Sequence, residues 1–314
     1  MKLHPAVLRT PDERFAALPG FAYPPHYAEI EDRRFGSLRM AYADEGPRDA
    51  PPVLMLHGEP TWSYLYRKMI QPVVAAGYRA VAPDHIGFGR SDKPAERTDY
   101  SYQAYVDWLR QFVEALDLRR ITLVCQDWGG PIGLRVLSEI PDRFDAVLAT
   151  NTLLPTFELP PKGIAGWPGE QIEAWAKTCR DANDLPISEI VASVCADRPS
   201  AEILRAYDAP FPDPSHKSAA LAITGCIPIR PDMPGLAENR QAWEVVEKFT
   251  GPFLTAFSDR DPSTKAWEKV FRERVSGANG QPHVEIAGAG HFVQEEKGEA
   301  LAEVLLALLK RRYG

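Results

Sequence analysis

The chain has 314 residues, of which 45% are hydrophobic and 25% charged, with a formal charge of −7. Those proportions fit a folded, water-exposed protein large enough for one α/β domain with an insertion. The acidic balance argues against nucleic acid as a partner, and no apolar run is long enough to cross a membrane.

The opening Met1-Lys2-Leu3-His4-Pro5 lacks the apolar core of a signal peptide, so a cytoplasmic location is expected. The four cysteines, Cys125, Cys179, Cys195 and Cys226, form no Cys-x-x-Cys pair. That argues against a zinc site and against thioredoxin-like chemistry.

Taken in order, Thr10-Pro11-Asp12-Glu13 has the form of a capping box with proline at the first helical position, and predicts a short helix. Strands near 28–35 and 38–44, joined by a turn at Gly36-Ser37, read as an antiparallel hairpin. Val53-Leu54-Met55-Leu56 is unbroken apolar, as a strand covered on both faces must be. A helix is predicted from about Ser63, with Leu65, Met69 and Val73 at spacing four and Pro72 shortening or kinking it. A strand over 78–82 then ends in a turn containing Gly87-Phe88-Gly89. That turn is no dinucleotide loop, because Asp92 stands where the third glycine belongs. Tyr102, Tyr105, Val106, Leu109, Phe112, Val113 and Leu116 mark one face of an amphipathic helix.

Ile121-Thr122-Leu123-Val124 is the next buried strand and 131–137 a buried helix. Between them lies Cys125-Gln126-Asp127-Trp128-Gly129. Small residues two before and two after a polar one are what a sharp strand-to-helix turn needs to expose its central side chain. Such an elbow usually carries serine; this one carries Asp127. A carboxylate is already ionised at neutral pH and can attack an sp3 carbon directly, forming an ester.

A strand over 145–150 follows, and strands alternating with helices imply a mostly parallel sheet with helices on both faces. The alternation stops over 153–229, which is Pro-rich and helical in patches at 170–180, 188–194 and 201–207. It resumes with strands at 252–257 and 283–286 and a terminal helix striped by Leu301, Val304, Leu305, Leu308 and Leu309. The expected division is therefore a core of 1–152 and 230–314 with a helical cap, 153–229, inserted between.

In a fold of this kind the acid and then the histidine follow the nucleophile. Of His216, His283 and His291, only His291 lies in a small-residue loop after the last strand. Asp259 and Asp261 compete for the acid. Asp261 is preferred because the loop needs length to reach a histidine, and Asp259 is expected to order the turn.

Residues 53–140 and 251–296 resemble the haloalkane dehalogenases of the α/β-hydrolase superfamily. The resemblance rests on His57-Gly58-Glu59-Pro60-Thr61-Trp62, on 83–94, on Gln126-Asp127-Trp128-Gly129-Gly130 and on Gly290-His291-Phe292, with further likeness at 9–15 and 206–212. It implies that Asp127 displaces halide to give an alkyl ester. His291, oriented by Asp261, would then activate water, while the Glu59 and Trp128 backbone N–H groups hold the oxyanion. The implied partners are a small halogenated alkane, halide and water, with no cofactor and no metal. Indole N–H groups suit a leaving halide, since they donate and cannot accept. Trp128 is one expected donor. The loop position where many relatives have an asparagine is Glu59 here, so a cap tryptophan is expected as the second: Trp175, with Trp167 as the fallback. An alternative role for Glu59 is to position the hydrolytic water.

Two other readings compete. An epoxide hydrolase would share the nucleophile, but needs two cap tyrosines, and 153–229 contains only Tyr207. A hydrolase-fold binding protein would not need Asp127, Asp261 and His291 together.

Overall fold

The computed structural model describes residues 3–156, 158 and 169–314. Ten strands occur among them: β1 (Val7–Leu8), β2 (His26–Asp32), β3 (Gly36–Glu45), β4 (Pro52–Leu56), β5 (Arg79–Pro83), β6 (Lys93–Pro94), β7 (Ile121–Asp127), β8 (Phe144–Thr152), β9 (Phe253–Ser258) and β10 (Val284–Ile286). β1 and β6 form a small antiparallel ladder, and the other eight form one sheet in the order β10-β9-β8-β7-β4-β5-β3-β2. β2, β3 and β5 pair antiparallel, and every other ladder of this sheet is parallel. The expected mostly parallel sheet is present.

The unbroken apolar run of β4 is explained by what covers it. Val53 and Met55 point into one core layer and Leu54 and Leu56 into the other, as the two-residue period of a strand requires. On one face the layer is completed by α1 (Arg67–Ala75) and α10 (Val293–Tyr313). On the other it is completed by α2 (Tyr102–Ala115), α3 (Gly129–Glu139), α8 (Leu236–Val246) and α9 (Lys265–Arg274). The sequence reading did not anticipate α8 or α9. Leu236, Ala242, Trp243 and Val246 carried the signal for α8, a buried stripe at helical spacing.

Between β8 and α8 lie α4 (Gly169–Asp181), α5 (Ile187–Val194), α6 (Ala201–Asp208) and α7 (Ser218–Ile223). The first three coincide with the expected helical patches; α7 was not foreseen. Arg97 donates to the carbonyls of Cys179, Arg180 and Ala182 at 3.4, 3.0 and 2.5 Å, tying the C-terminal end of α4 to the sheet domain. Tyr207 of α6 donates to Glu295 at 2.6 Å, and Glu295 also receives both terminal nitrogens of Arg67.

Two local expectations fail, the first for a local reason and the second for a tertiary one. The hairpin turn is 33–35 rather than Gly36-Ser37: Gly36 is already paired with Asp32, at a φ of +78° that glycine adopts without steric cost. The N-terminal capping box does not form. Pro11 is the cap of a short 3-10 turn (Asp12–Phe15), because the Thr10 hydroxyl donates instead to the Pro210 carbonyl at 2.6 Å.

Candidate active site

The order of the sheet reverses at β4, which has β5 on one side and β7 on the other. In open α/β sheets the crevice beyond the carboxyl ends of such strands is where ligands bind. Glu59 follows β4, Asp127 ends β7, Asp261 follows β9 and His291 follows β10. Four segments remote in sequence therefore converge on that edge.

Asp127 has φ +49°, a left-handed conformation costly for a residue with a β-carbon. The turn is held from both sides. A β-carbon at Gly58 would collide with the Asp127 carboxylate, and one at Gly129 with the Leu56 carbonyl. The Thr152 hydroxyl donates to the Asp127 carbonyl at 2.6 Å. Cys125 is fully buried beneath the turn, and burial pushes its thiol pKa up, as befits a packing residue.

Oδ1 of Asp127 accepts the Glu59 backbone N–H at 2.8 Å, so that donor already points at the carboxyl group. Trp128 is the N-terminal cap of α3, where backbone N–H groups lack helical partners. Oδ2 of Asp127 lies 3.4 Å from His291 Nε2. His291 Nδ1 lies 2.9 Å from Asp261 Oδ1. Asp261 is itself fixed by the backbone N–H groups of Ser263 and Thr264, each at 3.0 Å, and by the Thr264 hydroxyl. Asp259 accepts the Gly288 and Ala289 N–H groups at 2.8 and 3.3 Å, ordering the loop before the histidine. Of the other histidines, His216 faces Asp213 between α6 and α7, and His283 faces Thr255. His57 is buried with its ring between the Gly58 carbonyl and the His85 N–H.

Gln126 was not singled out from the sequence. Its amide donates to the His291 carbonyl at 3.2 Å and lies 3.0 Å from His291 Nε2, an arrangement that favours a lone pair there. Asn151 donates to the carbonyls of Gly290 and His291 at 3.0 and 2.9 Å. Both residues hold the histidine loop, and only the folded chain shows which loop they hold.

Burial works against charge on His291, but Asp261 and Asp127 outweigh it and raise its pKa to about 10. Asp261 feels the reciprocal effect: burial opposes its charge, yet His291 and Thr264 hold its pKa below the ordinary value. Burial, reinforced by the charge of Asp127, raises Glu59 to about 8.

Above these groups is a cavity of about 300 Å³ whose lining includes Asp127, Trp128, His291, Glu59, Trp175, Leu153, Ile172 and Ile227. The mix suits a small apolar ligand with a few polar anchors. The Trp128 indole N–H makes no hydrogen bond among the described residues. That of Trp175 donates to Glu59 Oε2 at 3.3 Å. Trp167 lies outside the described residues. Tyr207 is fully buried on Glu295 and does not line the cavity. No group of metal-ligating side chains occurs among the described residues.

Residues 51–178 match the alpha/beta hydrolase fold. A haloalkane dehalogenase of Psychrobacter cryohalolentis is 46% identical over 303 residues, 96% of this chain and 98% of that protein. One from Mycolicibacterium paratuberculosis is 44% identical over 96% of this chain and 97% of its own length. Among solved structures, the tetrameric haloalkane dehalogenase DpaA of Paraglaciecola agarilytica superposes with a TM-score of 0.87 at 38% identity. That match covers 96% of this chain and 98% of DpaA.

Proposed function

Since the chain belongs to the haloalkane dehalogenases, hydrolytic enzymes of the α/β-hydrolase fold, we propose that Asp127 is its nucleophile, His291 its base and Asp261 the carboxylate that orients the base. The reaction is hydrolytic dehalogenation, in which a haloalkane and water give an alcohol, halide and a proton. The observation that carries the residue roles is the contact chain Asp127–His291–Asp261 at the floor of an apolar cavity that two indole rings also line.

Oδ1 of Asp127 is held by the Glu59 N–H, which leaves Oδ2 to attack the carbon bearing the halogen. The C–O bond forms as the C–X bond breaks, and the bonding pair leaves with the halide toward the indole N–H groups of Trp128 and Trp175. Esterification removes the charge of Asp127. One of the two carboxylates that hold the proton on His291 is then gone, and the Gln126 amide favours the freed lone pair at Nε2. His291 gives its proton to solvent and can then take one from water, which attacks the ester carbonyl. The oxyanion is held by the Glu59 and Trp128 N–H groups. Collapse expels the alcohol with the proton from His291, and the regenerated Asp127 carboxyl passes its proton to His291, which restores the starting state with one proton released overall. The chemistry closes without a cofactor.

This reading takes 153–229 as a cap over a core of 1–152 and 230–314, with Trp175 as the cap's contribution to the halide site. It also takes the enzyme as cytoplasmic, which its four unpaired cysteines support. The burial of Tyr207 on Glu295 argues against an epoxide clamp. The test is to offer the purified protein 1,2-dibromoethane and styrene oxide. Bromide release that is lost in Asp127→Asn supports the assignment. Diol formation from the epoxide without bromide release overturns it.

A further inference from the structure

We infer that the Glu59 carboxyl is a proton-operated latch on the Trp175 indole N–H: neutral Glu59 yields that N–H to a halide, and ionised Glu59 takes it back. Halide capture is then coupled to proton uptake and halide release to proton loss. The inference rests on the reading of Trp175 as the second halide donor.

The geometry is specific. Trp175 Nε1 donates to Glu59 Oε2 at 3.3 Å, across 116 residues of sequence. Glu59 Oε1 is buried and has no hydrogen-bond partner among the described residues. A buried carboxylate oxygen without a donor is costly, whereas a carboxylic acid can turn its O–H into the cavity. The whole group lines the cavity that Asp127 and Trp128 also line. A halide accepting the Trp175 N–H would therefore sit beside the Glu59 carboxyl. An ionised Glu59 would hold the donor strongly and repel the anion, while a neutral one accepts it more weakly, carries no charge against the halide and can add a donor of its own.

The groups facing Glu59 set where it titrates. Burial and the Asp127 charge raise its pKa to about 8, against the smaller opposing effects of the Trp175 N–H and His291. His291 titrates near 10 and stays cationic through that window, and Asp261 stays anionic. Cys179 of α4 and Tyr105 of α2 also feel the Glu59 charge, and burial raises the pKa of both. Below about 8 the latch is open; as pH rises through that value it closes.

The experiment titrates the enzyme with sodium bromide from pH 6.5 to 9.5 at constant ionic strength. Tryptophan quenching and proton uptake in weak buffer are both followed. The parent should bind bromide with one Kd below pH ~8 and then weaken about tenfold per pH unit, taking up about half a proton per bromide at pH 8. Glu59→Gln should hold its Kd flat between pH 7 and 9 with no uptake. Glu59→Asn is the second variant should the first fail to fold. Parental pH dependence in either variant overturns the latch, as does absence of proton uptake in the parent at pH 8. Trp175→Phe separates the two ideas: undiminished bromide binding overturns the halide-donor reading, and with it the latch. Lost bromide binding in Trp175→Phe together with parental pH dependence in Glu59→Gln overturns the latch alone.

Discussion

Oδ2 of Asp127 stands 3.4 Å from Nε2 of His291, near enough for their charges to interact strongly and longer than a good hydrogen bond. The pair therefore changes character when Asp127 is esterified, because the interaction holding it is charge and esterification removes that charge.

His291→Gln should separate the two steps. Displacement needs only Asp127, so the variant should release about one halide per enzyme and then stop. Intact-protein mass spectrometry after exposure to a bromoalkane should find the alkyl adduct on Asp127. No halide burst and no adduct would show that His291 is needed before the ester forms.

Hydrolysis of the ester should have its own pH dependence. In the free enzyme burial lowers the His291 pKa, but Asp261 and Asp127 raise it to about 10. Losing the Asp127 charge moves the pKa down, and the base form is the one above the pKa. Single-turnover decay of the ester should thus rise with pH and level off well below 10. A rate still climbing at pH 10 would mean that esterification does not relieve His291.

Asp261→Asn should cripple turnover, since an amide can present its NH2 to His291 Nδ1 and fix the wrong tautomer. A loss of about 10⁴ in kcat accompanies the analogous change in a serine triad. Asp259→Asn should be mild, because its contacts are to the loop backbone. Equal losses at equal melting temperatures would reassign the acid.

Trp175→Phe keeps most of the ring and removes the N–H. The displacement step should slow on the order of 100-fold, as for loss of one oxyanion donor. Chloroalkanes should suffer more than iodoalkanes, because chloride concentrates its charge and leaves less readily. Turnover of 1,2-dichloroethane at the parental rate would make Trp175 a packing residue.

The Arg67–Glu295–Tyr207 group should matter to stability rather than chemistry. Arg67 and Glu295 are each 6% exposed, so Glu295→Ala strands a buried guanidinium and should cost about 3–5 kcal/mol in urea unfolding. Tyr207→Phe removes one hydrogen bond to a charged group and should cost about 1.5–3 kcal/mol. Halide release by Tyr207→Phe should stay near the parental rate; an epoxide clamp would predict otherwise.

The elbow at Asp127 was legible in the sequence because its constraints are local. Residues four apart must satisfy a tight strand-to-helix turn, so Cys125 and Gly129 are small whatever the rest of the chain does. The alternation of strands and helices was legible for the same reason: the periods of two and 3.6 are written in neighbouring residues, and β4 shows its double burial by having no polar position. The contacts that define the site were decided by tertiary structure. Asp259 and Asp261 are two residues apart on one loop, and chain order cannot say which carboxylate turns toward His291. Thr10 could cap its own helix or bond Pro210, 200 residues away, and the folded chain brings the Pro210 carbonyl to its hydroxyl. Gln126 and Glu59 carry no sequence signal for their partners, since His291 and Trp175 reach them only once the sheet and the inserted helices are packed. Hydrogen-bond geometry depends on tenths of an ångström between segments that the sequence separates by 30 residues, as for Asp261 and His291, or by more than a hundred, as for Glu59 and Trp175, and only packing sets those distances.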